Sequence, residues 1–154
     1  MVEITVEFDD SGLSRLTDRL EAELAKAVAA SAFVVEDLAK MNAPVDTGAL
    51  QASLYTRTAA ASGFSDSVLA SSARRPGTEF VREAPRPASS LEAIVAAGVH
   101  YATYVEFGTA RMAGRYFLRR AGQEAVSQIR DLFARAMRKA TKEAMAGTKI
   151  KVRL

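Results

Sequence analysis

The chain has 154 residues, of which 49% are hydrophobic and 25% are charged, and it carries a net charge of +3. This length predicts a single domain, residues 1–154, with a modest core. The absence of cysteine excludes disulfides and thiolate metal sites, and a single histidine, His100, excludes a multi-histidine metal centre. The N-terminus lacks a signal-peptide pattern and no apolar run could cross a bilayer, so we expect cytoplasmic synthesis and no membrane partner.

The first half of the chain shows both helix and strand periodicity. Residues 2–8 alternate apolar and polar side chains, which predicts a half-buried strand. From Leu13 to Met41 apolar residues recur every three or four positions, which predicts a long amphipathic helix. Pro44 must end this helix. Asp46 can then accept backbone N–H groups as the N-cap of a short helix over residues 46–54.

The second half predicts a similar mixture, and Gly147 stands where a left-handed C-cap would end the second long helix. The predicted elements are a strand at 55–58, an extended loop or arm at 59–90, a strand at 91–97, a short helix or strand at 101–107, a long helix at 115–146 and a strand at 149–154. Together these elements predict an α+β fold, in which one mostly antiparallel sheet is packed by two long helices and carries a long loop or hairpin insertion.

Two blocks carry the most specific sequence patterns: Pro-Val-Asp-Thr-Gly-Ala-Leu at 44–50 and Tyr-Ala-Thr-Tyr-Val-Glu-Phe-Gly-Thr at 101–109. Proline and glycine at fixed offsets indicate turns that shape the backbone. We interpret both blocks as turns that shape the subunit or its contacts. Their predicted turn and interface residues are Pro44, Val45, Asp46, Thr47, Gly48, Leu50, Tyr101, Tyr104, Glu106, Phe107, Gly108 and Thr109.

In this order, the two blocks resemble the tail-component proteins of long-tailed bacteriophages, in particular the gene-product-ten family of the HK lambdoid phages. A third element, Arg-Tyr-Phe-Leu-Arg-Arg-Ala at 115–121, is similar to the opening of that family's last helix. Tyr116 stands where the family usually has proline, which predicts a less rigid start of the helix. The resemblance spans roughly residues 10–145 and fails across 60–90, which we interpret as a lineage-specific insertion.

The resemblance implies a structural virion protein at the head–tail junction, made in the host cytoplasm. It would form a ring that joins the head connector to the tail tube; a hexamer is favoured and a dodecamer is the alternative. The implied partners are other neck proteins, the connector or stopper, and tail-tube or terminator proteins. Genomic DNA would pass through the lumen without sequence-specific contact. A tail terminator or a head-closure protein would be alternatives at the same interface.

Catalysis is not expected, and no cofactor or metal is implied. Asp46-Thr47-Gly48 could be a catalytic aspartate loop, but aspartic proteases need two such carboxylates, and Asp-Thr-Gly occurs once in this sequence. His100 has no recognisable nucleophile beside it. Glu106 is expected to accept backbone N–H groups of the Gly108–Thr109 turn, or to pair with Arg111 or Arg115. A small hydrolase using Asp46, His100 or Glu106 is therefore the weakest alternative.

The 59–90 loop is predicted to be a subunit arm, because an apolar pair would be unusual in a loop without a partner. The arm residues are Arg74, Arg75, Phe80, Val81, Arg82 and Arg86. Nucleic-acid contact and a plain solvated loop remain alternatives for this segment. The basic residues of the last helix and strand also admit a non-specific nucleic-acid-binding module, although pairing with an acidic neighbour is preferred.

Overall fold

In the computed structural model the described residues are 5–6, 11–46, 48–64, 83–146 and 152–153. The described elements in chain order are β1 (Thr5–Val6), α1 (Ser11–Asn42), α2 (Ala49–Ala52), β2 (Leu54–Thr58), β3 (Ala93–Ala97), α3 (Ala102–Phe107), β4 (Gly108–Thr109), β5 (Met112–Ala113), α4 (Phe117–Ala146) and β6 (Val152–Arg153). The α+β class is confirmed, and so are its two long helices.

Helices α1 and α4 pack side by side and run in opposite directions. Near one end, Lys139 Nζ lies 3.0 Å from Glu23 Oε1. Near the other end, Asn42 Nδ2 donates to Glu124 Oε2 at 2.9 Å. The ammonium groups of Lys26 and Lys139 both donate to Glu23, which holds the pKa of that carboxyl below its usual value. Early residues of α1 therefore face late residues of α4.

The seam between the two helices consists largely of alanine. On α1 the buried residues include Ala27, Ala32 and Ala39, and on α4 they include Ala121, Ala125, Ala136 and Ala140. Because a methyl group is the whole side chain, the two backbones can approach closely along most of their length. This explains why a chain rich in alanine still builds a close-packed pair of helices.

The described strands form three two-stranded antiparallel sheets rather than the single sheet expected from the sequence. The longest pairs β2 with β3, in a register that places Thr56 opposite Val95. The terminal strands β1 and β6 also pair, so the predicted strands at both ends are confirmed within the residues that are described. The third pair, β4 with β5, is a tight hairpin immediately before α4.

The best-packed part of the core lies where the first half of the chain meets the start of α4. Phe117 and Val99 are the largest fully buried side chains. They share one apolar cluster with Leu50, Leu54 and Ala102. Burial of side chains of this size is the main favourable term that holds α2, α3 and α4 together.

The described ends of the 59–90 segment, residues 59–64 and 83–90, lie beside β2. The Thr58 N–H donates to Ala61 O at 2.8 Å, so the outgoing strand turns back at once. On the return, Glu83 forms an ion pair with Arg57 at 2.6 Å and accepts a hydrogen bond from Ser62. The Ser62 hydroxyl is the main cause, and the Arg57 guanidinium a lesser one, of a pKa of the Glu83 carboxyl below its usual value. The two ends of the insertion are therefore joined to each other and to β2.

The predicted element boundaries are close to the observed ones. The helix predicted over 46–54 is shorter and spans only Ala49–Ala52, because the chain needs residues up to Gly48 to turn after Pro44. The ambiguous segment 101–107 is helical. The Gly147 cap lies outside the described residues, and the single-domain organisation stays a prediction. Within the described part of the chain, no helix is both long and apolar enough to span a bilayer.

Candidate interaction surface

The first block, 44–50, turns the chain from α1 into α2. The Ala43 N–H still donates to Ala39 O at 2.9 Å, and the helix ends before Pro44. Gly48 has a φ of 78° and occupies the N-cap position of α2, so the N-cap residue is Gly48 rather than Asp46. Glycine adopts this left-handed backbone conformation at little energetic cost, whereas a residue with a Cβ is strained by it. The side chain of Leu50 then enters the core, and Thr47 lies outside the described residues.

The second block, 101–109, forms α3 and the first strand of the hairpin. Gly108 has a φ of 84°, and a Cβ at this position would lie 2.6 Å from Met112 O and from Gly114 N. Gly114 is equally constrained, since a Cβ there would lie 2.7 Å from Glu106 O. Two glycines thus allow the two sides of the hairpin to touch through their backbones. Gly114 is not among the residues predicted from the sequence, because its close approach to Glu106 O depends on the folded hairpin.

Glu106 connects α3 to the start of α4. Its Oε2 accepts the Leu118 N–H at 2.9 Å and its Oε1 accepts the Arg119 N–H at 3.0 Å, and the side chain is buried. The first N–H groups of a helix lack partners within the helix and carry a partial positive charge. The carboxylate therefore caps α4. This partner differs from the two expected from the sequence, which were the N–H groups of the Gly108–Thr109 turn and the cation of Arg111 or Arg115.

Tyr116, immediately before α4, has a φ of 51°. Its N–H donates to Glu106 O at 3.1 Å. Proline has neither this N–H nor access to a positive φ. The residue that the resembling family usually has at this position would therefore not fit this conformation, which makes the departure at Tyr116 larger than the sequence suggests.

The two blocks meet in space. Leu50 of the first block shares the core cluster with Ala102, next to Tyr101 of the second. Burial raises the pKa of the Tyr101 phenol, and the nearby Asp46 carboxylate raises it further. The ring of His100 contacts the rings of both Tyr101 and Tyr104 edge-on, with centroids 6.2 Å apart. The predicted turn residues are therefore parts of one structure.

Around this structure, large apolar side chains point into solvent. Phe107 is 66% exposed and Tyr104 is 53% exposed, and they are joined by Met112 of the hairpin and by Tyr116. We call these four residues the α3 patch. A cleft of about 570 Å³ lies beside it, lined by Tyr55, Ala97, Val99, Phe107, Phe117 and Leu118 among others. Exposed aromatic groups on a rigid support are typical of protein–protein contact sites.

The predicted arm is described only at its two ends, residues 59–64 and 83–90. Arg86 is exposed, and its Nε donates to Ala59 O at 2.7 Å. This hydrogen bond joins the two ends of the 59–90 segment. The other arm residues, Arg74, Arg75, Phe80, Val81 and Arg82, lie outside the described residues. Over the described ranges, no group of three or more histidine, cysteine, aspartate or glutamate side chains is placed to hold a metal ion.

A comparison with models of protein families matches residues 10–108 to the family described as "Bacteriophage HK97-gp10, putative tail-component". The chain belongs to the HK97-gp10-like family. The match includes the first block and the second block as far as Gly108, while the third element at 115–121 lies beyond it. No curated protein and no solved structure gives a significant match.

Membership in the HK97-gp10-like family identifies the chain as a bacteriophage tail component and so assigns it to the virion. The resemblance inferred from the sequence is thereby confirmed. The matched range contains α1, α2, the β2–β3 pair and α3, which together build the turns described above. The hairpin and α4 complete the surface from outside that range.

Proposed function

We propose that this HK97-gp10-like protein is a neck or tail-completion component, a ring of identical subunits that joins the head connector to the tail tube. The α3 patch is the observation that carries the proposal. A tail component acts by contact, and this chain presents exposed aromatic groups on a support fixed by Glu106, Gly108 and Gly114. Sixfold symmetry is the favoured stoichiometry, because tail tubes are commonly hexameric, and twelvefold is the alternative.

In this proposal the protein binds and does not catalyse. Glu106, one of the three candidate catalytic residues, uses both carboxylate oxygens to cap α4. Asp46 lies near Tyr101, and the ring of His100 contacts the ring of Tyr104. An Asp46→Asn, His100→Gln double variant should therefore support normal particle assembly. Loss of assembly in a variant that still folds would favour the hydrolase alternative.

The test of the proposed role is electron microscopy of lysates from the parent phage with this gene deleted. DNA-filled heads beside separate, finished tails would support a joining or completion role. Overlong tails would indicate a tail terminator, and heads that leak DNA would indicate head closure. Normal infectious particles would contradict all three roles. A plasmid copy of the wild-type gene should restore normal particles and serves as the control.

A second candidate function, non-specific contact with DNA, is favoured by the outer face of α4. Its exposed residues include Arg119, Arg120, Arg130, Arg135, Arg138, Lys139 and Lys142, with Glu124 and Asp131 as exposed acids between them. Phosphate contacts by such residues weaken steeply with salt. Retention on immobilised DNA that falls several decades between low and high salt would support this function, and weak, salt-insensitive retention would reject it.

A further inference from the structure

A second apolar surface lies well away from the α3 patch, where β3 crosses the two long helices. It is a groove of about 420 Å³, lined mainly by Val28, Val35, Leu91, Val95, Ile129 and Phe133. We call it the β3 groove. Ile129 lies about 18 Å further along α4 than Phe117, at the helical rise of 1.5 Å per residue. The chain therefore carries two separate apolar surfaces, one protruding and one concave.

The charges around the two surfaces have opposite signs. Beside the α3 patch stand the exposed side chains of Arg111, Arg115 and Arg119. The guanidinium of Arg119 lies 5.7 Å from the ring centroid of Tyr116, so this cation is part of the patch. On α3 itself the one carboxylate, that of Glu106, is buried and caps α4. The exposed Asp46 carboxylate lies near Tyr101, so three arginines stand against one acid on the solvent side of the patch and the balance there is basic.

The β3 groove is bordered by two carboxylates and by one exposed cation, Arg130, which follows Ile129 of the lining. Glu92 lines the groove itself and is exposed. Glu21 is also exposed and lies two helical turns before Val28 on the same side of α1. Ser90 Oγ donates to Glu21 Oε1 at 3.2 Å, which holds this carboxylate next to the start of the groove. Glu21 and Glu92 therefore supply two carboxylates at the border of the groove that can pair with the cations of a docked surface.

We propose that the α3 patch of one copy docks in the β3 groove of the next copy, with Phe107 in the groove and the arginines against Glu21 and Glu92. The two surfaces differ, so the contact is head-to-tail; repeated contacts of this kind close a ring or extend a filament. The opposite charges set the orientation and disfavour patch-to-patch pairing, since like charges would then meet. This contact rests on the proposed ring and assigns its subunit interface.

The natural chain has no cysteine, which allows a direct test. In a Leu91→Cys, Met112→Cys double variant, one thiol lies in the groove and the other in the patch of each copy. Oxidation of the purified protein should give a ladder of dimers, trimers and larger species that ends at the ring size. Each single variant should stop at the dimer. The matched control is Leu91→Cys with Met41→Cys, because Met41 is more exposed than Met112 but lies outside the patch.

A charge exchange tests the orientation independently. An Arg115→Glu, Arg119→Glu variant and a Glu21→Arg, Glu92→Arg variant should each weaken self-association roughly tenfold or more in sedimentation experiments. Mixed in equal amounts, they should associate again, because each reversed surface then meets its complement. The proposal is overturned if the folded cysteine variant gives no ladder beyond that of the control, or if the mixture stays dissociated.

The outcomes also separate this contact from the proposed role in the phage. A ladder in a protein whose gene deletion leaves particles normal would keep the contact and reject the neck role. Separate heads and tails after deletion, together with no ladder, would keep the role and reject this interface. Circular dichroism of each variant distinguishes a lost contact from a lost fold.

Discussion

The carboxylate of Glu106 lies 2.9 Å from the backbone nitrogen of Leu118 and serves as the N-terminal cap of α4 from the preceding helix. A glutamate from another element thus supplies what a serine or aspartate at the N-cap usually supplies. Glu106 therefore connects the second sequence block to α4, which forms with α1 the most extensive contact between described elements.

Removal of this cap should destabilise the protein. We expect Glu106→Ala to lower the free energy of unfolding by about 2 kcal/mol, because two N–H groups lose their acceptor at a buried site. Glu106→Gln retains one acceptor oxygen and should lose less. Urea denaturation followed by circular dichroism measures both, with Asp131→Asn as an exposed control. Equal stability of Glu106→Ala and the wild type would contradict the capping role.

Replacing Tyr116 by glycine should stabilise the protein, and replacing it by proline should destabilise the protein strongly. A non-glycine residue with positive φ costs about 1–2 kcal/mol, so Tyr116→Gly should recover up to about 1 kcal/mol after its contact with Arg119 is lost. Tyr116→Pro should cost about 3 kcal/mol or more, because proline cannot adopt this φ or donate to Glu106 O. The same denaturation experiment tests both, and a proline variant as stable as the wild type would mean that α4 begins differently.

Three glycines should respond differently to alanine. Gly108→Ala should cost roughly 3 kcal/mol or more, since the new Cβ would meet backbone atoms at 2.6 Å. Gly48→Ala meets no atom within 4 Å and should cost about 1 kcal/mol through its φ alone. Gly122→Ala, in α4 with open space around it, should gain up to about 1 kcal/mol. Any other rank order of the melting temperatures would contradict these assignments.

Tyr101 should ionise at higher pH than an ordinary tyrosine, because it is partly buried and lies near the Asp46 carboxylate. Its folded pKa lies above its unfolded value, so its contribution to stability is complete below the unfolded pKa of about 10 and is lost as pH rises through the folded pKa. In phenolate absorbance titrations, Tyr101→Phe should remove a transition that lies above the ordinary tyrosine pKa of about 10.

An Asp46→Asn variant checks the contact between the two blocks. The pKa of Tyr101 should fall but stay above its ordinary value, because burial is the larger cause of the shift. Asp131→Asn, which removes an exposed carboxylate of α4, is the control and should leave the titration unchanged. An Asp46→Asn titration identical to that of the wild type would contradict the proximity of Asp46 and Tyr101.

The alanine seam should not accept larger side chains. Ala125 is completely buried between α1 and α4, so Ala125→Leu should force the helices apart and cost about 1–3 kcal/mol. Ala134→Leu on the exposed side of the same helix should change stability by less than about 0.5 kcal/mol. Thermal unfolding of the two variants separates overpacking from a general effect of leucine in α4.

Local sequence patterns predicted most of the helices and strands. The spacing of Leu13, Leu16, Leu20 and Leu24 indicates α1, and the structure extends that helix by only one or two residues at each end. Alternation at the two chain ends indicates strands but not which strands pair, because pairing depends on contacts across the whole chain. This is why three small sheets replace the single sheet expected from the sequence.

The residues of the candidate site could be predicted from the sequence, but their arrangement in space could not. Proline and glycine marked both blocks, since their backbone limits are local properties. The partner of Glu106 was not predictable, because Leu118 and Arg119 are brought to it by the hairpin between them. The opposing charges of Arg115 and Glu92 likewise belong to surfaces that no sequence pattern relates.

The two described ends of the 59–90 segment are held to each other, which bears on how this protein can diversify. Glu83 binds both Ser62 and Arg57 of β2. Because these contacts fix both ends of the segment against the body, we expect changes of length between Ser62 and Glu83 to leave the packing of α1 against α4 intact. Such changes would let the segment meet different neighbours while the subunit body stays the same.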